Sequence, residues 1–418
     1  MNNQLRLTRR DVLKLSVGAA LAAAGQAIEG GAPAAWAQGG PEDPIAIAQR
    51  LFVKDITKNY YALAAPVAGA HWWKFTTDIT PVERLFLRSR YKTPIVDKSA
   101  WKLTVSGDAI DRPMEFTYGD LLKMRSLRAV RYHECNGNGG IRGFGLIGQV
   151  EWHYVPIGEI LGRVRVRPNG VQALFWSGVD GPDTGRPIDL AELRSRPEVI
   201  GLAYGMNGSD LPADHGGPVR LIVPGWGGSA SIKWLTEIRI ASHRFWTRMN
   251  TKEEALIGPQ YAPDTPGASD ELTLGVAASD IRGQTAKWQT TKSHLNLPIV
   301  LDRLPRIPPG YPLQQGVRPI VNAGRRTMSG YAYSPMGIRK VEYSTDGGRT
   351  WTAAVPVGPI DRPGAWTRFQ FSWDATPGDH TLLTRATDGN GTVQPGEAPL
   401  NELRLQDNSI PRFEVRAV

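Results

Sequence analysis

Five stretches of the sequence, 330–333, 338–344, 350–355, 367–373 and 380–387, alternate apolar and polar residues. Alternation with a period of two sends one set of side chains to a buried face and the other to solvent, which is the pattern of strands and not of helices. Turn-forming residues separate the stretches, and Asp346, Gly347 and Gly348 are spaced for a tight hairpin. Short strands at this spacing predict a β-sandwich of immunoglobulin type. The chain has one cysteine, so no intramolecular disulfide braces that sandwich and its core must hold it. A chain of 418 residues is long for one core, and a second domain is expected before the sandwich.

The N-terminal part mixes short strands and short helices, which makes the whole chain α+β. Residues 45–52 read as a helix. Residues 82–91 read as a strand with Arg88 and Arg90 on the same face. Residues 101–107 alternate like a half-buried strand. Residues 114–124 read as a strand and then a helix, with Thr117 as its cap, and 126–132 as a strand entering a glycine-rich loop. Helices are expected at 157–161 and 188–193, and buried strands at 171–178 and 219–223. Asn207 and Gly208 mark a hairpin turn. The proline-rich stretch 244–320 reads as a linker with strands such as 270–276.

The first residues read as an address. Arg9 and Arg10 have twin-arginine spacing, 15–24 is apolar, and Ala35 and Ala37 flank a cleavage signal. Residues 1–37 are therefore expected to be removed on export to the periplasm. The apolar run is about half the length of a bilayer-spanning helix, so no stable membrane anchor is expected. Four basic and two acidic side chains leave with the leader, and the net charge falls from +9 to +7. That excess either draws anionic substrates and acidic partners or only aids solubility. There is no lysine–arginine run of the kind that tracks nucleic acid.

Chemistry-bearing residues gather in two places. Cys135 lies in 131–140 with Gly137, Gly139 and Gly140. A thiolate is a soft ligand and a nucleophile, and glycines let backbone approach a bulky group. The decapeptide alone fits equally well a buried cysteine serving as a small hydrophobe. The second place is 225–231, whose backbone N–H groups and the hydroxyls of Ser229 and Ser231 suit a phosphate. His215, Arg220 and Lys233 add positive or hydrogen-bonding groups around it, with spacing that is not that of a Walker loop. No Cys-x-x-Cys-His site is present, so haem in this chain is not expected.

Taken in order, 134–138, 203–208, 214–216, 218–220, 223–225, 232–235, 341–351, 386–388 and 393–395 resemble the sulfite oxidase family of molybdenum enzymes. The resemblance covers most of 78–418. With the twin-arginine signal peptide read above at 1–37, it implies a sulfite oxidase-type molybdopterin-binding domain (38–255) and an immunoglobulin-like dimerisation domain with its linker (256–418). It also implies one molybdenum–molybdopterin cofactor per chain. Cys135 resembles the metal ligand and Arg88 the arginine of the substrate pocket. Ser89 and Arg90 stand where the family has cofactor contacts. Asn138, His215, Arg220 and Lys233 resemble residues that hold the pterin and its phosphate, with Ser229 and Ser231 beside them. The expected activity is oxidation of sulfite or a related inorganic sulfur compound, with electrons passed to an external c-type cytochrome by a homodimer or a complex with a cytochrome subunit.

The sequence also departs from the pattern. Gly139 and Gly140 stand where the family has paired arginines, as in the sulfane dehydrogenase type. Thr251 stands where it has a tyrosine, for which Tyr261 substitutes only if the loop is rebuilt. Arg404 or Arg412 corresponds loosely to a further arginine. A sulfane dehydrogenase subunit, a reductase of the same superfamily and a non-catalytic binding protein therefore remain alternatives.

Overall fold

Thr117 shows how the local signals translate into structure. Its hydroxyl accepts from the Asp120 N–H, and the Asp120 carboxylate accepts from the Thr117 N–H, so a capping box starts the helix where the strand ends. The computed structural model describes residues 67–68, 76–90, 92–139, 144–178, 185–273, 275–297, 318–399 and 401–418. The expected leader, the helix at 45–52 and Gly140 lie outside these residues.

The elements in chain order begin with β1 (Lys102–Ser106), β2 (Met114–Thr117), α1 (Tyr118–Leu122), β3 (Leu127–Glu134) and β4 (Ile147–Pro156). Then come α2 (Ile157–Val164), β5 (Gln172–Trp176), β6 (Arg186–Asp189), α3 (Leu190–Ser195) and β7 (Gly201–Met206). β8 (Ser209–Asp210), β9 (Arg220–Ile222) and β10 (Glu237–Ala241) complete the first part. One sheet has the order β8-β7-β4-β3, with β9 also paired to β7; a second has the order β2-β1-β10-β5-β6. The second sheet, α2 and α3 share a core that includes Leu103, Ile160, Phe175, Leu193 and Ile238.

The C-terminal part is a two-sheet sandwich. β11 (Lys292–Leu295), β13 (Gly324–Tyr333), β17 (Thr367–Ala375) and β16 (Val355–Val357) form one sheet, with β12 (Ile320–Val321), β14 (Ile338–Ser344) and β15 (Thr352–Ala353) belonging to the other. β18 (Gly378–Asp388) and β19 (Arg412–Ala417) complete the second sheet in the order β12-β19-β18-β14-β15. β17 buries alternate residues along its length, as its sequence predicts.

Three expectations need correction. Residues 82–91 are not a strand: 82–84 form a 3-10 turn, and only Leu87–Arg88 are extended, so Arg88 is exposed while Arg90 is half-buried. Proline at 81 starts that turn and limits the strand. Residues 188–193 split between β6 and α3. In 270–276 only Glu271–Leu272 are extended, beside Phe245–Trp246. The supposed linker instead supplies β11, which is buried on both faces and pairs with β13.

The first sheet and the sandwich share one core. Phe86, Tyr132, Ile147 and Trp152 belong to the same buried cluster as Tyr331, Trp366, Phe369 and Phe413. Polar bonds seal the seam: Arg362 donates to the Asp78 carboxylate at 3.1 and 2.9 Å, and the Trp366 N–H donates to Gln149 Oε1 at 2.6 Å. An apolar seam of this kind resists independent motion of its two sides.

Candidate active site

β3 carries the chain into the cysteine loop, and its alternation continues through it. Tyr132, Glu134 and Asn136 are buried, whereas His133 and Cys135 keep accessible surface. His133 and Cys135 thus share the half-buried face of the strand, and Cys135 packs against the shared apolar cluster. The Cys135 N–H donates to the Leu146 carbonyl at 3.0 Å, and the Asn138 N–H donates to the Cys135 carbonyl at 2.9 Å. The loop is thereby held on both sides of the sulfur.

The 225–231 segment packs against it. A Cβ on Gly227 would lie 2.1 Å from Asn136 Oδ1, and one on Gly228 would lie 3.0 Å from the Glu134 carbonyl and 3.2 Å from His133 Nε2. These glycines let the two loops touch. Residues 228–230 wind into one 3-10 turn, and the Val223 N–H donates to Ser231 Oγ at 3.1 Å. Ser229 Oγ is buried beside the Glu254 carboxylate, whose pKa it acts to lower.

Arg220, from β9, joins the pieces. Its guanidinium donates to the His215 and Ser231 carbonyls, both at 2.8 Å, and stands 3.4 Å from His133 Nε2 and over the Trp152 ring. Burial lowers its pKa to about 9, so it is still charged at neutral pH, and its Nε has no protein partner. His133 stacks on Phe86. Burial, then the charges of Arg220 and Lys233, push its pKa well below the usual value, so the ring is neutral. Lys233 Nζ donates to Ser89 Oγ at 2.6 Å and to the Asp214 carbonyl at 2.8 Å. His215 is buried, 3.9 Å from the Asp214 carboxylate.

The structure therefore joins Arg220 to the carbonyls of His215 and Ser231, and Lys233 to Ser89 and the Asp214 carbonyl, with His133, two residues before Cys135, beside Arg220. The other candidates lie differently. Arg90 is paired with Glu253 at 2.7 Å. Arg88 is exposed and donates to the Ser89 carbonyl at 3.1 Å. Asn138 turns away from the accessible face: its amide donates to Glu134 and Tyr333, and its Oδ1 accepts from the Leu146 N–H at 2.8 Å. Its side chain holds the loop. Thr251 is buried and donates to the Thr247 carbonyl. Tyr261 and Arg404 are half-exposed, and Arg412 is exposed on β19 near Glu414.

Several residues at the site were not among the sequence candidates. His133 was within reach, because an extended chain puts it on the same side as Cys135. Glu254 was not: it comes from a remote turn, accepts from Asn136 Nδ2 at 2.6 Å, and burial raises its pKa. Among the described residues no three His, Cys, Asp or Glu side chains are grouped to hold a metal. Among the described residues, then, no set of protein ligands for a metal accompanies Cys135.

Comparison with known proteins identifies the source of such ligands. Residues 90–248 match the oxidoreductase molybdopterin binding domain, and 312–417 match the Mo-co oxidoreductase dimerisation domain. Mitochondrial sulfite oxidase of Mus musculus is 26% identical over 366 residues, covering 81% of this chain and 62% of that protein. An NADH nitrate reductase of Ulva prolifera is 24% identical, covering 81% of this chain and 40% of that protein. The chain thus spans about 62% of the length of the mouse and rat proteins. The crystal structure of the sulfane dehydrogenase SoxCD from Paracoccus pantotrophus shares the fold, with a TM-score of 0.69 at 24% identity over 93% of each chain.

Fold and matched domains define a molybdopterin-binding oxidoreductase. The chain belongs to the sulfite oxidase family of molybdenum enzymes.

The residues present fit that cofactor. One thiol, that of Cys135, keeps accessible surface, and among the described residues no group of three His, Cys, Asp or Glu side chains competes with it for a metal. The Nε of Arg220, which has no hydrogen-bond partner among the described residues, and the charge of Lys233 suit an anionic, hydrogen-bonding group.

Proposed function

We propose that the chain acts in the periplasm as a molybdenum-cofactor oxidoreductase that oxidises sulfite or a related inorganic sulfur compound and hands the electrons to an external c-type cytochrome. The observation that carries this reading is Cys135 on an accessible face beside neutral His133, with Arg220 and Lys233 fixed nearby. The cofactor, when bound, supplies two-electron redox chemistry at the metal. Cys135 supplies a soft ligand to it. Arg220 and Lys233 balance anionic charge and keep His133 neutral, so His133 donates or accepts a single hydrogen bond without adding charge. Arg88, at the surface next to Ser89, meets an anionic substrate as it enters. The dimerisation domain supports a homodimer, and the twin-arginine leader supports the periplasm.

One observation favours the sulfane dehydrogenase type as a second reading. Gly139 has a φ of +112°, and a Cβ there would lie 2.7 Å from the Asp407 carbonyl. A side chain is excluded on both counts, so the site is built without an arginine at that position.

Purified protein assayed with sulfite and ferricyanide separates the readings. Turnover with sulfite supports the first. No turnover with sulfite, together with activity on a protein-bound sulfane, supports the second. In the active assay, Cys135→Ser is expected to abolish turnover while circular dichroism stays unchanged; retained turnover contradicts the role given to Cys135.

A further inference from the structure

Directly behind Cys135, a fully buried polar cluster crosses from the sandwich into the cysteine loop. Lys292 of β11 donates to Glu134 Oε1 at 2.8 Å and to the Asn138 carbonyl at 2.9 Å. Tyr333 of β13 donates to the same Glu134 oxygen at 2.6 Å, and Asn138 Nδ2 donates to it at 2.9 Å. Lys292 and Tyr333 face each other across the β11–β13 ladder, so one sheet presents both donors together. Lys292, Glu134 and Tyr333 are each 0% exposed. The two residues they grip, Glu134 and Asn138, flank Cys135 on either side.

A buried Lys–Glu pair is seldom a gain in stability over an apolar pair of similar volume, because both charges lose their water. What the pair does supply here is direction. The Asn138 carbonyl and the Glu134 carboxylate are tied to a single ammonium, so the loop between them cannot rotate without breaking a charged bond. On the side of its own domain the loop is held by Asn136, whose amide donates to the Glu254 carboxylate at 2.6 Å, and by two neutral bonds, Cys135 N–H to the Leu146 carbonyl and Leu146 N–H to Asn138 Oδ1; the Lys292 ammonium is what ties Glu134 and Asn138 to each other.

We propose that Lys292 is a positioning residue of the active site: the sandwich inserts it, with Tyr333, beneath the cysteine loop to fix the direction of the Cys135 sulfur. The metal-related part of this inference rests on Cys135 being the ligand, as proposed above. The C-terminal domain is then a component of the active site as well as a dimerisation surface.

The test uses the full mature chain with Lys292→Met, the conservative Lys292→Arg, Tyr333→Phe and the charge-balanced pair Glu134→Gln/Lys292→Met. Two readouts are taken. The first is the alkylation rate of Cys135 by iodoacetamide in cofactor-free protein, which needs no metal. The second is the electron paramagnetic resonance spectrum of loaded protein after one-electron reduction. Lys292→Met is expected to raise the alkylation rate at least about tenfold and to shift the spectrum; Lys292→Arg restores both in part, and Tyr333→Phe shifts both less. Wild-type rates and spectra in folded Lys292→Met overturn the proposal. If that variant does not fold, the charge-balanced pair and Tyr333→Phe decide by the same criteria. If the wild-type protein carries no molybdenum, the cofactor reading fails, and the alkylation series still decides whether Lys292 positions the sulfur.

Discussion

His294 shows what burial does to a single side chain in this protein. Phe144, Tyr331 and Tyr333 wall it in, and burial, with the charge of Lys292 nearby, holds its pKa well below the usual 6.5. The folded protein keeps the ring neutral, while the unfolded chain protonates it near its ordinary value. Below that pH the unfolded state binds more protons, so stability falls as pH falls, by on the order of 1.4 kcal/mol per pH unit from this group. Urea unfolding at neutral pH and at about pH 5.5 should show wild type losing more stability than His294→Phe. Parallel losses would contradict neutral burial. Arg88 makes a different prediction, because it is exposed and its role is to meet substrate. Arg88→Met should raise KM for an anionic substrate roughly tenfold to a hundredfold, from a lost charge-assisted contact of about 1.5–3 kcal/mol, with kcat changed less. An unchanged KM would remove Arg88 from the substrate path.

At the scale of elements, the site is made by two loops that touch because glycines allow it. Gly227→Ala puts a methyl group against the Asn136 amide. It should cost about 1–3 kcal/mol in urea unfolding and lower cofactor occupancy, since the neighbour it displaces follows Cys135 in the chain. Wild-type stability and occupancy would mean that the loops part without cost. The same loops show what could be read from sequence. That Cys135, His215, Arg220, Ser231 and Lys233 deserve to be considered together was legible from two short glycine-rich stretches, whereas the roles expected of them came from the family resemblance and not from residue type alone. Strands such as β1 and β17 were legible because one face is buried and the other wet. β11 was not: its four residues are all buried, so no alternation marks it, and prolines surround it in sequence. Lys292 and Tyr333 were not legible as site residues because their contacts with Glu134 are 158 and 199 residues away in sequence. Asn138 was legible as a residue of the loop, but its orientation depends on those same remote partners.

Across the whole molecule, the shared core changes what a domain boundary means. The sequence divides into a cofactor-binding part and a sandwich, yet Tyr132 and Trp152 pack in the same cluster as Tyr331 and Trp366. Cutting the chain between the two parts would expose that face to water. A fragment spanning 38–255 is expected to be aggregated or to lack fixed tertiary structure, as read by near-ultraviolet circular dichroism, and to bind no cofactor. A soluble, cofactor-loaded fragment would contradict the shared core. The fold likeness to sulfane dehydrogenase extends over 93% of both chains, so both parts are present in that arrangement too. On the proposal above, the part that matches the dimerisation domain also places Lys292.

The most direct measurement is the molybdenum and pterin content of the mature chain, matured in a host that makes the cofactor, beside Cys135→Ser prepared identically. About one molybdenum and one pterin per wild-type chain are expected, with the metal lost or its ligand-field spectrum changed in the variant. Wild-type protein that is folded and free of both metal and pterin, or a Cys135→Ser variant with metal content and spectrum identical to wild type, would contradict that expectation.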